Sequence, residues 1–200
     1  MKNGPDWQDF VLLLIDVQND FWTEEMAVHF PDFSENVAGL LALCRREKID
    51  IVHLRASFQP DQSDWMERYK LKNATLCVAG TEGANILPCA AELANEPVIY
   101  KQTFDGFLNP ALKQYLEENG KRFVLVAGLE SSVCVLLTAV SATQHGYLSA
   151  IVSDCCADNL PAHQHTLKNY PFAFDTVLFA DIPNQSTIWQ GMLEKLNEGL

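Results

Sequence analysis

Six short apolar runs divide this chain: FVLLLI (10–15), IDIVHLRA (49–56), VIY (98–100), RFVLVAG (122–128), LSAIVSD (148–154) and FDTVLFA (174–180). Most lack the polar–apolar alternation of a strand with one wet face. Near-continuous apolarity marks strands covered on both sides, the environment of a parallel sheet. Helical patterns lie between them. SENVAGLLALCRRE sets Val37, Leu40, Leu41 and Cys44 on one face, with Ser34 as the expected N-cap. NPALKQYLEENG offers Asn109 as cap, Pro110 at the first helical position and Gly120 just past the end. VCVLLTAVSATQHG predicts a helix from about Ser132 to Gly146, and STIWQGMLEKLNEG a last helix with Ile188, Met192 and Leu196 along one side. Strand–helix alternation with short connections predicts a three-layer α/β/α, Rossmann-like domain on a six-stranded doubly wound parallel sheet. Without an internal repeat or linker, residues 1–200 read as one domain. The one long irregular stretch, roughly Ser57 to Pro97, is longer than an idle loop usually is.

Charge narrows the partners. The 14 Lys and Arg against 26 Asp and Glu give a net charge of −12, and no basic cluster occurs. Binding to a phosphate backbone depends on such clusters, so nucleic acid is not an expected partner. No stretch approaches the roughly 20 apolar residues needed to span a bilayer, and the run from Phe10 to Ile15 ends at an acid without a cleavage site. No membrane association and a cytoplasmic location are expected. The six cysteines are scattered and form no CxxC pair, so they read as reduced thiols. In tandem, Cys155 and Cys156 read as packed core, because adjacent cysteines bridge poorly.

Ligands of open parallel sheets bind beyond the carboxyl ends of the strands. Three polar residues fall at such places. Asp16 ends the VLLLI run, either as a partly desolvated proton carrier or as a residue bonding nearby backbone amides. Lys101 directly follows VIY; at the end of an inner strand it requires a carboxylate or a ligand, whereas near the surface it would merely snorkel. Cys134 stands six residues beyond Gly128, at an expected helix start where backbone amides favour a thiolate; the alternative is a small core residue. Together the three make a coherent machine. Lys101 would hold Cys134 as thiolate, Asp16 would shuttle a proton, and the amides near Glu130 and Cys134 would form an oxyanion site.

The segments LLLIDVQNDF, VIYKQTFDGF, VLVAGLESSVCVLLTAVSATQHGY and IVSDCCAD, in this order over about Val11 to Phe179, resemble the isochorismatase-like cysteine hydrolase superfamily. VAGTEGANILP resembles the glycine-containing segment of that family ahead of its lysine strand. The resemblance implies an Asp16–Lys101–Cys134 triad and a cis peptide between Leu129 and Glu130. It also implies hydrolysis of small amides or ureido compounds through a thioester, and a homo-oligomer. A small-molecule substrate is the expected partner.

Two departures from the family pattern stand out. Metal-binding members carry Asp-x-His after the second strand, but here the chain reads Arg55, Ala56, Ser57, Phe58, so neither a metal nor another cofactor is expected. His53 lies within the strand and is read as packed or hydrogen-bonded. Glu130 occupies a position where relatives carry a small residue; its side chain either points away or selects an amine-bearing substrate. Phe21, Trp22, Phe104 and Phe107 follow the Asp and Lys motifs and either wall a substrate pocket or fill core. His163 and His165 read as structural or interfacial. Amide hydrolysis is the leading expectation. Vinyl-ether hydrolysis by Asp16 alone and a non-catalytic binding role are the alternatives.

Overall fold

Phe10–Ile15 forms strand β1, and every one of its six side chains is buried. That burial explains the unbroken apolar run: β1 lies in the middle of the sheet, with strands on both sides and covering layers above and below. The computed structural model describes residues 6–199. After β1 come α1 (Glu24–His29), α2 (Phe33–Glu47), β2 (Asp50–Ala56), α3 (Glu67–Lys72), β3 (Val98–Lys101), α4 (Pro110–Glu118) and β4 (Phe123–Leu129). A π-type turn at Ser131–Val135 then leads into α5 (Leu136–Gln144), β5 (Leu148–Ala157), α6 (Leu160–Asn169), β6 (Asp175–Val177) and α7 (Ile182–Glu198).

All strand pairings are parallel, in the order β3-β2-β1-β4-β5-β6. The chain winds outward from β1 to β3, returns to the centre, and winds outward again from β4 to β6. The reversal between β1 and β4 leaves a crevice at their carboxyl ends, the place where such sheets bind ligands. The six expected strands are all present, as three-layer architecture requires.

Several local expectations change. Asp32, not Ser34, takes the N-cap position of α2, because the helix begins two residues earlier and buries Phe33. The predicted helix over 132–146 opens as the π-type turn before α5 begins. In α7 the buried face is Ile182, Ser186, Trp189 and Leu193, whereas Ile188, Met192 and Leu196 face solvent. Trp189 decides that choice: its ring packs on Phe10 and Phe123, the first residues of the two central strands. At α4, Asn109 caps as expected, accepting from the Ala111 amide at 3.0 Å.

The irregular segment after β2 is pinned rather than loose. Phe58 bridges to Val78, the Leu87 amide donates to Val17, and the Asn19 amide donates to Asn85. Gln18, buried beneath it, donates to the carbonyls of Ala56 and Ala84, both at 2.9 Å, and accepts from the Ala56 amide. The segment is thereby folded over the carboxyl end of the sheet.

Gly128 shows how tightly the two central strands approach there. Its φ is +122°, and a Cβ would lie 2.0 Å from the carbonyl oxygen of Ile15, just before Asp16. Gly120, at φ +62°, has open space around it. Gly128→Ala therefore lowers unfolding free energy by more than about 3 kcal/mol, and Gly120→Ala by about 1–2 kcal/mol. Urea denaturation of both variants measures this; equal losses would contradict the close approach.

Candidate active site

The end of β1 is built to turn a carboxylate inward. Asp16 has φ +49°, a left-handed conformation that Asp tolerates better than most residues, and its amide donates to Leu54 at 2.8 Å. Its side chain is fully buried, with Oδ1 accepting from the Ala56 amide at 2.8 Å. Lys101 approaches from β3, which is an edge strand, yet its side chain is buried and does not snorkel to the surface. Its backbone lies opposite Ala56 of β2, so the side chain must cross β2 to reach β1. Strands are about 4.8 Å apart, and only a long side chain makes that crossing.

The ammonium of Lys101, 1% exposed, donates to Asp16 Oδ2 at 2.6 Å, to the Thr103 carbonyl at 3.0 Å and to Cys134 Sγ at 3.4 Å. Its three N–H groups therefore have three partners. Cys134 comes from the turn after β4, so residues from three separate segments meet at one point. The Leu129–Glu130 peptide is cis. Behind it, Ser132 donates through its amide and hydroxyl to Asp158 Oδ2, at 2.8 and 2.6 Å. Ser131 Oγ meets His163 Nδ1 at 2.8 Å. His163 thus supports the turn from α6, and burial holds its imidazole below the ordinary range.

Burial raises the Asp16 carboxyl, and the charge of Lys101 offsets this only in part. For Lys101, burial alone would lower the ammonium, but Asp16 and Cys134 outweigh it and the group is held up. Cys134 goes well above the ordinary thiol value, first through burial and then through the charge of Asp16, against the pull of Lys101. The resting thiolate expected from the sequence is therefore corrected to a neutral thiol. The ammonium only partly offsets burial and the neighbouring carboxylate. What the geometry shows is a buried Lys101–Asp16 ion pair with the Cys134 sulfur beside the ammonium.

A cavity of about 100 Å³ opens onto this group. Phe21 and Phe104 line it, as expected, together with Phe58, Met66, Tyr69 and Leu76 from the segment over the sheet. Trp22 and Phe107 do not. Trp22 stacks on Phe33 at 4.7 Å, and Phe107 stacks on His145 at 5.0 Å on the side of α5, so both are packing residues. The long irregular stretch after β2 stood out in the sequence, but its cavity-lining residues did not. The available signal was the WMERY spacing, which puts Met66 and Tyr69 three apart at the start of a short helix. Glu130 also lines the cavity, and its carboxyl is raised by burial, then by Asp158 and Asp16.

Among the described residues, no three His, Cys, Asp or Glu side chains are grouped so as to hold a metal ion. His53 instead contacts Glu96 through Nε2 at 3.0 Å. All six cysteines are free, including the adjacent Cys155 and Cys156. Among the described residues, no helix is long and apolar enough to cross a membrane.

The parallel α/β fold brings a buried Asp, Lys and Cys together at its switch point. The comparisons with known proteins specify it further: the Isochorismatase domain matches residues 10–178, and the chain belongs to the isochorismatase family. The isochorismatase family protein YddQ of Bacillus subtilis is 30% identical over 148 residues, 73% of this chain and 76% of the relative. Maleamate amidohydrolase of Pseudomonas putida is 30% identical over 154 residues, 74% of this chain and 71% of that enzyme. The crystal structure of an isochorismatase family protein from Desulfovibrio vulgaris superposes with a TM-score of 0.79 at 26% identity, covering 88% of this chain and 97% of the other.

The neutral thiol has a measurable consequence. Without substrate, iodoacetamide should label Cys134 slowly at neutral pH, its rate still rising above the ordinary thiol value of 9.0. Asp16→Asn removes the adjacent negative charge and should move that profile to lower pH. Peptide mapping across pH reads both; a wild-type midpoint below the ordinary thiol value would contradict the assignment.

Proposed function

We propose that this protein is a cysteine amidohydrolase that cleaves the C–N bond of a small carboxamide or ureido compound through a thioester on Cys134. The observation that carries the reading is the contact of one buried ammonium with both Asp16 and Cys134. The relative named maleamate amidohydrolase supports the same reaction class.

The reaction follows from the resting protonation states. A carboxylate whose pKa is raised by burial is a stronger base than a solvated one, and Asp16 and the thiol share the Lys101 ammonium as a common neighbour. As Sγ attacks the carbonyl carbon, the thiol proton passes to Asp16 and the C=O electron pair moves onto oxygen. The amide N–H groups of Glu130 and Cys134 receive that oxyanion. Collapse of the tetrahedral intermediate re-forms C=O and breaks C–N, with the Asp16 proton going to the departing nitrogen. Water then attacks the thioester and gives a proton to Asp16. The second collapse releases the acid, and the proton returns to sulfur. Lys101 keeps its charge throughout, which stabilises Asp16 as carboxylate and the sulfur in its anionic moments.

Hydrolysis of a vinyl ether needs Asp16 but no thiol, and the placement of Cys134 Sγ beside Lys101 has no use in that chemistry. Ammonia release from a panel of small primary amides and ureido compounds separates the two. Cys134→Ala should reduce kcat/KM by at least about 10⁴-fold, because removing a nucleophile removes the covalent route. Retention of wild-type amide turnover by that variant would overturn the proposal.

A further inference from the structure

We infer that Glu130 makes this cavity select a small amide carrying an ammonium group and reject one carrying a carboxylate. The inference rests on the amidohydrolase reading for the amide, and on the charge pattern of the cavity for the rest.

Lys101 is the only cation among the residues lining the cavity. Its three N–H groups are committed to Asp16, Thr103 and Cys134, so none is free to receive a ligand carboxylate. Asp16 and Glu130 are the two acidic residues that line the same space. An anionic ligand would have to shed water and then face the acidic residues Asp16 and Glu130 with no free cation among the lining residues to compensate them.

Glu130 points the other way chemically. It is half-buried and lines the cavity, and among the described residues its carboxyl makes no hydrogen bond or ion pair. The charges that act on it, from Asp158 and Asp16, are of its own sign. Asp158 is already bonded to Ser132 and Asn159. A positive group delivered by the ligand is what this carboxyl lacks. The aromatic walls serve the same charge: Phe58 and Tyr69 meet edge to face at 5.5 Å, and Tyr69 and Phe104 at 6.4 Å. Ring faces attract an ammonium. The cavity volume of about 100 Å³ restricts the ligand to a short chain between amide and amine.

Three amides of similar size test this: β-alaninamide as the cation, butanamide as the neutral reference, and succinamate as the anion. Ammonia release from each is measured at neutral pH with wild type, Glu130→Gln and Glu130→Asp. The wild type should prefer β-alaninamide to succinamate in kcat/KM by at least about tenfold, as expected of a partly desolvated charge pair. Glu130→Gln should bring that ratio towards one, and Glu130→Asp should keep it. An unchanged ratio in Glu130→Gln, or a wild-type preference for succinamate, overturns the inference. Calorimetric binding of the same amides to Cys134→Ala separates it from the reaction itself. If nothing is hydrolysed but Cys134→Ala prefers β-alaninamide, and the added Glu130→Gln removes that preference, the amidohydrolase reading fails and the charge selection stands. Equal or undetectable binding of the charged pair at millimolar concentration overturns the selection.

Discussion

The ion pair between Lys101 and Asp16 is the interaction on which the rest of the site depends. Both groups are almost completely removed from water, and neither could be tolerated alone in charged form. Breaking such a pair by removing one partner costs about 3–5 kcal/mol, because the other is left as an uncompensated buried charge. The pair also ties the edge strand β3 to the central strand β1 across β2, so one contact locks strand placement and proton chemistry together. Without Lys101 the Asp16 carboxyl would lose the charge that offsets its burial and would be raised further, and a protonated Asp16 could not accept the thiol proton.

Burial has two opposite effects on the residues that meet there. It raises Asp16, which makes it a better base, and raises Cys134, which makes the thiol a poorer nucleophile at rest. The proposed mechanism needs both. The thiol loses its proton only when a carbonyl is in position to take the developing charge, and Asp16 stands ready to receive it. The turn that carries Cys134 is braced by Asp158 and His163, neither of which touches the cavity. Those braces keep Sγ in place beside the ammonium.

The strands were legible because burial on both faces leaves uninterrupted apolar runs, and Asp16 and Lys101 were legible because they end two of them. The strand order was not written locally, so the sequence left Lys101 open between the end of an inner strand and a surface position; it lies on an edge strand with its side chain buried. Apolar stripes were ambiguous for the same reason. In α7 the choice of inner face was made by Trp189 packing on Phe10 and Phe123, partners distant in sequence. Trp22 and Phe107 carry the same local signal as Phe21 and Phe104, and only packing against Phe33 and His145 separates wall from core. The protonation state of Cys134 was equally hidden: a turn sequence displays its amides but not the depth at which they are buried.

The account stands on covalent chemistry at Cys134, and acid-quenched mass spectrometry during turnover of a small amide tests that most directly. The account predicts one acyl group on the peptide containing Cys134, accumulating before steady state and absent after the substrate is exhausted. Sustained turnover with no acyl group on that peptide at any quench time would contradict it, and would move the chemistry to Asp16 alone.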